Sequence, residues 1–284
     1  MTSFAERQGY RAVRSITQTD ALDEQTRTEI WNVTNTLRTV LNDQTRRYRS
    51  KTCDHILSAV WTWEFRRPAD EQPSDSAVWS RIKSTILTEE WFDALDLVEA
   101  IVGYVKRFED QYTQGAVPAI VGAFNDRFER FLVEYRFIGL EVTPIASSAE
   151  AGAVTGALDA TAAFNGARHH LERAVELLAD RHNPDFPNSI KESISAVEAV
   201  CVSVTGEHTL GSALKRLEVS GVSIHPALAV AWSKMYGWVS DADGIRHGSI
   251  EAPDADQALA KYMLVTCSAF VSHVIEVGRK AGLI

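Results

Sequence analysis

The sequence contains little cysteine, and no export or membrane segment is evident in it. Three cysteines, Cys53, Cys201 and Cys267, are spread over 284 residues without a C-x-x-C pair. This odd number and wide spacing argue against a disulfide framework or a zinc knuckle, and favour a reducing cytoplasm. The first residues lack the apolar core of a signal peptide, and no run approaches the ~18 apolar residues of a membrane span. We therefore expect a cytoplasmic protein without a membrane partner.

Several familiar catalytic signatures are also missing. The sequence has no P-loop, no H-E-x-x-H zinc motif, no G-x-S-x-G elbow and no G-x-G-x-x-G after a strand. Nucleotide hydrolysis and serine hydrolase chemistry are therefore poor candidates. His169 and His170 are adjacent and lack the i, i+4 spacing of a helical metal site. We expect neither a metal nor a cofactor.

Excess positive charge is absent as well. The formal net charge is −9 and the pI is about 5.4. Such a balance argues against constitutive, non-specific binding to nucleic acid or to an anionic membrane, but it leaves room for a local basic pocket.

Strand signals are scarce, whereas helical periodicity is nearly continuous. The apolar spacing predicts helices over residues 22–43, 53–65, 76–87, 89–108, 117–134, 160–179, 189–205, 209–219, 226–239 and 256–279. The first is expected to begin at an Asp20 cap and to bury Val40 on its apolar stripe. The tryptophans of the first half are expected in its core and not on a base-stacking surface; they are Trp31, Trp61, Trp63, Trp79 and Trp91.

The periodicity changes over residues 135–145. β-Branched and aromatic residues surround Gly139 there, which is typical of a short hairpin or an extended connector. Ser147 and Glu150 then stand at capping-box spacing before a new helix. The sequence thus predicts an all-α protein with two helical domains, residues 1–145 and 146–284, joined near this segment.

The most distinctive segment is residues 240–248, SDADGIRHG, which we call the Arg–His loop. It sets the permanent cation of Arg246 beside His247, whose imidazole type titrates near pH ~6.5. Ribonucleolytic transfer needs a base, an acid and a cation on the phosphate, so the pair is our candidate catalytic site. A structural interpretation stays open, in which Arg246 pairs with Asp241 or Asp243 and ties the loop down.

Other polar residues of the second half are candidates for supporting roles. Glu192 and Glu198 share a predicted helix, and a carboxylate there would orient His247; an ordinary solvated helix face is the alternative. Candidate RNA contacts, or plain surface residues, are Arg168, His169 and Lys191. Arg49 and His55 match Arg-x5-His, a spacing that chance alone supplies in this chain.

Several strings resemble known proteins. Residues 3–10 (SFAERQGY) and 30–32 (IWN) resemble the N-terminal domain of AbiJ-type abortive-infection proteins. The second half is similar to HEPN domains, which are bundles of four to five helices. The strings that carry this second resemblance are residues 183–185, 188–198, 209–211, 224–228 and 241–247.

The resemblance implies a phage-defence protein that arrests growth. HEPN domains often act as metal-independent ribonucleases, usually as homodimers that combine Arg and His from both subunits. It thus implies RNA, with tRNA among the candidates, as substrate, a phage-derived trigger or a host protein as partner, and a sensor or regulatory first domain. The usual HEPN signature places four to six residues between Arg and His, whereas Arg246 and His247 are adjacent.

Two other functions remain open. A non-catalytic helical interaction module fits the net charge of −9 and the altered motif. A nucleotide-sensing bundle is a weaker alternative. Residues 256–279 are apolar on much of their circumference, which indicates a central or interfacial helix and favours a homodimer.

Overall fold

A computed structural model describes residues 4, 8, 10, 17–180, 184–219, 224–240 and 255–284. Helices dominate this part of the chain, so the predicted all-α, two-domain fold class is confirmed. Two compact units are present. Unit 1 comprises Met1–Val142 and Ala146–Ser148, and unit 2 comprises Thr143–Ile145 and Ala149–Ile284.

The helices of unit 1 follow the predicted apolar spacing closely. They are α1 (Glu24–Tyr48), α2 (Thr52–Ala59), α3 (Asp75–Thr88), α4 (Trp91–Arg107) and α5 (Ala116–Arg130). A π-helical segment, Val60–Glu64, continues α2 directly, and a 3-10 turn covers Ala69–Glu71. The predicted helix over residues 53–65 is thus α-helical only in its first part.

The start and the buried face of α1 differ from the prediction. Asp23 and not Asp20 caps the helix, because the Gln18 side chain accepts a hydrogen bond from the Asp23 amide at 2.7 Å and holds the entry extended. The Asp23 carboxylate then accepts one from the Thr26 amide at 2.8 Å. Val40 is 44% exposed and borders a cavity of about 330 Å³ between α1 and α5, so its predicted burial is wrong.

The tryptophans of unit 1 divide into three groups. Trp31 and Trp79 are buried in the core, as predicted. Trp61 and Trp91 pack against it while partly exposed. Trp63 is 47% exposed, so its predicted core position is wrong. It lies in the π-helical segment, whose wider turn changes the direction in which successive side chains point.

The predicted hairpin is confirmed as β1 (Arg136–Ile138) paired with β2 (Glu141–Thr143). Arg136 is buried there and donates to the carbonyls of Val133 at 2.6 Å and Tyr135 at 2.7 Å. It also donates to Glu129 at 2.8 Å. The Ser148 hydroxyl and the Arg136 guanidinium hold the pKa of Glu129 below its usual value. The guanidinium therefore holds together the backbone that leads into the hairpin.

The helices of unit 2 are α6 (Ser148–Ala160), α7 (Asn165–Ala179), α8 (Phe186–Thr205), α9 (Leu210–Val219), α10 (Pro226–Ser240) and α11 (Gln257–Lys280). The predicted helix over 160–179 begins only at Asn165. A 3-10 turn, Thr161–Ala163, separates it from α6, and Phe164 precedes its first residue. Asp185 caps α8 and accepts from the Asn188 amide at 3.1 Å, which places Asn188 inside the first turn and not at the cap.

Helix α8 is the central helix of unit 2, and the long helix α11 packs beside it. Helix α11 is long and apolar enough to cross a membrane, but half of its most apolar window is buried inside the unit. Its buried side chains, Met263, Phe270, Val271, Val274 and Ile275 among them, pack mainly against α8 and α7. Such burial is the usual position of a core helix, and the predicted cytoplasmic location stays a prediction.

All three thiols are free and buried. Burial raises the pKa of Cys53 to about 11 and that of Cys201 to about 12, and it raises the pKa of Cys267 further. Because a raised thiol pKa keeps the reactive thiolate scarce below that value, the folded protein should be inert to thiol reagents at pH 8.

We therefore expect Ellman's reagent to label none of the three cysteines in the folded protein at pH 8 and all three in guanidinium chloride. Absorbance at saturation counts the modified thiols. Rapid labelling of one thiol in the folded protein would contradict the buried position of that cysteine.

We expect Arg136→Met to destabilise unit 1 by about 1–3 kcal/mol, because the Val133 and Tyr135 carbonyls would lose a charged donor. Arg46→Met is the matched control, since Arg46 is 78% exposed in its pair with Asp43. Its replacement should lower the free energy of unfolding by at most about 1 kcal/mol. Urea unfolding followed by tryptophan fluorescence measures both, as five of the seven tryptophans lie in unit 1. Equal effects of the two substitutions would contradict the role of Arg136.

Candidate functional site

The Arg–His loop lies outside the described residues. Its Arg246, His247, Asp241 and Asp243 follow α10, which ends at Ser240, and precede α11, which begins at Gln257. The catalytic prediction for this pair therefore stays a prediction. The other predicted site residues lie on α7 and α8.

An interhelical histidine–carboxylate pair joins α7 to α8. The Nδ1 atom of His170 lies 2.6 Å from Oε2 of Glu192. The side chains of His170 and Glu192 are 34% and 19% exposed, so the pair is half-buried at the edge of the helix interface. Glu192, predicted to orient His247, thus has His170 as a partner.

Close backbone packing sets this pair in register. The Ser189 hydroxyl donates to the Ala174 carbonyl at 2.8 Å, in the buried part of the interface between α7 and α8. Further along, a Cβ on Gly166 would lie 3.9 Å from the Cβ of Ala199, which is ordinary van der Waals contact. The order of these two contacts shows that α7 and α8 are antiparallel. The His170–Glu192 pair lies between the two contacts.

The carboxylate determines which ring nitrogen of His170 carries the proton. An ionised Glu192 can only accept, so Nδ1 must donate to it. In the neutral ring Nε2 then carries the lone pair, and it has no partner among the residues that the structure describes. Such an imidazole can take up and return a proton at Nε2, the role that a carboxylate-oriented histidine plays in acid–base catalysis.

The predicted RNA contacts surround this pair without forming one cluster. Arg168 is exposed and donates to Glu172 on its own helix at 2.8 Å. His169 is exposed, with its ring centroid 5.8 Å from that of His170. Lys191 is half-buried beside Glu192. One further cation, Arg173, pairs with Glu176, which together with the charge of Glu192 raises the pKa of Arg173.

The first half of the chain shows which family the protein belongs to. The family described as AbiJ N-terminal domain 4 matches residues 2–160, more than half of the sequence. The chain belongs to this family. The matched range covers the helices of unit 1, the hairpin and α6. No curated protein and no solved structure matches the chain.

The AbiJ domain assigns the protein to an abortive-infection, antiviral-defence family. The match ends before α7, so His170 and Glu192 lie beyond it. What this pair does must be argued from its own geometry.

The second predicted carboxylate, Glu198, lies elsewhere on α8. Six residues from Glu192 correspond to about 9 Å along the axis and a turn of about 240° around it. Glu198 is half-buried and its charge adds to the burial that raises the pKa of Cys201. The structure therefore does not bring Glu198 to the His170–Glu192 pair.

Arg49 and His55 lie in unit 1. Arg49 ends α1 in a left-handed conformation at φ 57°, and the His55 ring lies 5.3 Å from that of Phe108. Within the described ranges, no group of three His, Cys, Asp or Glu side chains could hold a metal ion.

The sequence did not lead us to predict the contact between His170 and Glu192, although one signal of it was available. Helix α7 ends at Ala179 and α8 begins at Phe186, and helices joined by so short a connection are usually antiparallel. Residues at similar distances from that connection then face each other. This rule pairs His170 with a small set of α8 positions that includes Glu192.

Replacing Glu192 should remove the constraint that places the proton of the neutral His170 ring on Nδ1. We expect the neutral ring of His170 to carry its proton on Nδ1 in the wild type, and Glu192→Ala to shift it towards Nε2. Long-range ¹H–¹⁵N spectra of the histidine rings at alkaline pH measure the tautomer. Glu172→Ala, which removes a carboxylate bonded to Arg168 and not to His170, is the control. An unchanged tautomer in Glu192→Ala would contradict the pairing.

Proposed function

We propose that this AbiJ-family protein is a metal-independent, HEPN-type endoribonuclease that cleaves RNA and arrests growth when triggered. The observation that carries the proposal is the His170–Glu192 pair, in which a carboxylate orients an imidazole with its Nε2 free. Unit 2 also holds the Arg–His loop between α10 and α11. Unit 1 would then act as the sensor or regulatory domain.

The proposed chemistry needs two imidazoles and one cation. One histidine takes the proton of the attacking 2′-hydroxyl, and the other protonates the leaving 5′-oxygen. The Arg246 guanidinium stabilises the charge that develops on the phosphate. His170 and His247 are the two histidines, supplied by one chain or by two chains of a homodimer. No protein group needs a bound metal in this scheme.

A non-catalytic interaction module is the second candidate function. It is supported by exposed apolar side chains on α10, since Val230 is 58% exposed, Leu228 42% and Trp238 41%. Exposed apolar residues on one helix are typical of a surface that meets another protein. The partner would be a phage-derived trigger or a host protein.

RNA cleavage distinguishes the two functions. We expect purified wild type to cleave total bacterial RNA, tRNA included, in EDTA, and His247→Ala and His170→Ala to lose about 10²–10⁴-fold in rate. His208→Ala is the control, because His208 is exposed on the same unit and should cleave as the wild type does. Circular dichroism and thermal unfolding verify that each variant folds.

Each result bears on a separate part of the proposal. Cleavage that EDTA abolishes would contradict the metal-independent mechanism. Cleavage that survives both histidine substitutions would contradict the assignment of the site. RNA left intact by the wild type, both alone and with extract of phage-infected cells as a source of the trigger, would contradict the ribonuclease and favour the interaction module.

A further inference from the structure

Six ring side chains form a row on the surface of unit 1. They form three facing pairs. Each pair has one ring from residues 48–63 and one ring from residues 104–112. The ring centroids lie 4.7 Å apart for Tyr48 and Tyr112, 5.3 Å for His55 and Phe108, and 5.5 Å for Trp63 and Tyr104. We call this set the aromatic row.

Hydrogen bonds from two side-chain hydroxyls hold the two sides of the row together. The Ser50 hydroxyl donates to the Asp110 carboxylate at 2.6 Å, and the Thr52 hydroxyl donates to the Phe108 carbonyl at 2.9 Å. Tyr104 and Phe108 are four residues apart at the end of α4, so their rings share one face. At the other end of the row, the Tyr104 hydroxyl donates to the carboxylate of Glu64, which fixes the π-helical segment to α4. The row is thus a built part of unit 1.

Three of the six rings are largely open to solvent. Tyr48 is 51% exposed, Trp63 47% and Tyr112 40%. Large aromatic side chains are costly to leave in water, and they are usually covered by the core or by a ligand. Trp63 also lies in the π-helical segment, and π-turns are frequent at functional sites.

A cleft opens within the row between the His55 and Phe108 rings and the Trp63 indole. Its volume is about 220 Å³, and Ser58, Ala59 and Thr62 complete its lining. This is smaller than the roughly 300–1,000 Å³ of sites for drug-sized ligands. The cleft therefore suits one planar ring system held between aromatic faces.

One cation lies directly over the row. The Arg107 guanidinium is 5.1 Å from the Trp63 ring centroid and 5.7 Å from that of Phe108. Arg107 forms no salt bridge with a carboxylate of the described part of the chain, whereas Lys51 pairs with Asp54 and Lys106 with Glu109. The charges around the row are thus nearly balanced, with Arg107 available to a phosphate.

We propose that the aromatic row binds single-stranded RNA by stacking unpaired bases, with one base in the cleft and a phosphate on Arg107. The inference rests on the proposed ribonuclease function, because it gives that enzyme an RNA-binding surface outside the catalytic unit. Aromatic platforms bind single strands with little sequence preference, because each base offers a π-face. A chain with a net charge of −9 gains little from phosphate contacts, so stacking must supply most of the affinity.

A protein partner fits the row less well. Protein hot spots are fully desolvated and lie inside an apolar patch. The row is instead flanked by exposed, already paired ions such as Lys51 with Asp54 and Lys106 with Glu109. A partner protein would have to desolvate these pairs at a cost, whereas a flexible single strand can stack on the rings and leave the ions hydrated.

The test measures binding of an uncleavable probe to the full chain. The probe is a 5′-fluorescein oligouridine of about 12 nucleotides, 2′-O-methylated throughout, and fluorescence anisotropy reports binding. We expect Trp63→Ala and Tyr112→Ala each to weaken binding by about 5–150-fold, since one stacked base is lost. Trp63→Phe should recover part of the loss. Phe92→Ala is the matched control, because Phe92 is 41% exposed on unit 1 outside the row.

Salt dependence gives an independent readout. Each phosphate contact to a single strand contributes a slope of about −0.7 in log K against log salt, so we expect one or two contacts to give a shallow slope. His208→Ala should bind the probe as the wild type does, because His208 is exposed on unit 2 and belongs neither to the row nor to the proposed catalytic set.

Three results would overturn the proposal. They are no binding by wild type up to about 100 µM, the weak end of non-specific affinity, equal binding by wild type and the row variants, or a steep salt slope. None of them bears on cleavage by unit 2, because the probe has no 2′-hydroxyl to react.

Discussion

The close antiparallel packing of α7 on α8 is the constraint on which the candidate site depends. Two small residues, Gly166 and Ala199, let the helices meet near one end, and the Ser189 hydroxyl bonds across them near the other. The His170–Glu192 pair lies between these points, so the register of the two helices brings the imidazole and the carboxylate face to face. The orientation of the imidazole therefore depends on the helix packing one turn to either side of it.

The two units use polar groups in opposite ways. In unit 1 both terminal nitrogens of the buried Arg136 donate to protein groups, the backbone carbonyls of Val133 and Tyr135 and the carboxylate of Glu129. In unit 2 the His170–Glu192 pair uses one ring nitrogen for structure and keeps the other free. The first arrangement stabilises a chain reversal, and the second leaves a ring nitrogen for the proton transfer of the proposed mechanism. Belonging to the AbiJ family accounts for the first half of the chain; the second half has to be understood from such local chemistry.

Much of the fold could be predicted from the sequence, because amphipathic periodicity reports directly which helix face is buried. The hairpin was predictable too, from β-branched residues around Gly139. The residues at which helices begin were harder to predict. Asp23 and not Asp20 is the cap of α1 because Gln18 bonds to the Asp23 amide, and Gln18 is itself held by Phe131, more than a hundred residues away. Trp63 was misjudged because periodicity assumes 3.6 residues per turn, and the π-helical segment breaks that rule. The pairing of Glu192 required an interhelical register that no local pattern encodes.

The π-helical segment also has a bearing on how the chain tolerates length changes. A π-turn is equivalent to one residue inserted into an α-helix. Deleting a residue within Val60–Glu64 would restore the regular α-helical hydrogen bonds and yet turn every following side chain by about 100°. Trp63 and Glu64 would then leave Arg107 and Tyr104, although the helix itself would be more regular. A shortened relative could thus keep this fold and lack the aromatic surface, so helix regularity and surface chemistry oppose each other at this one turn.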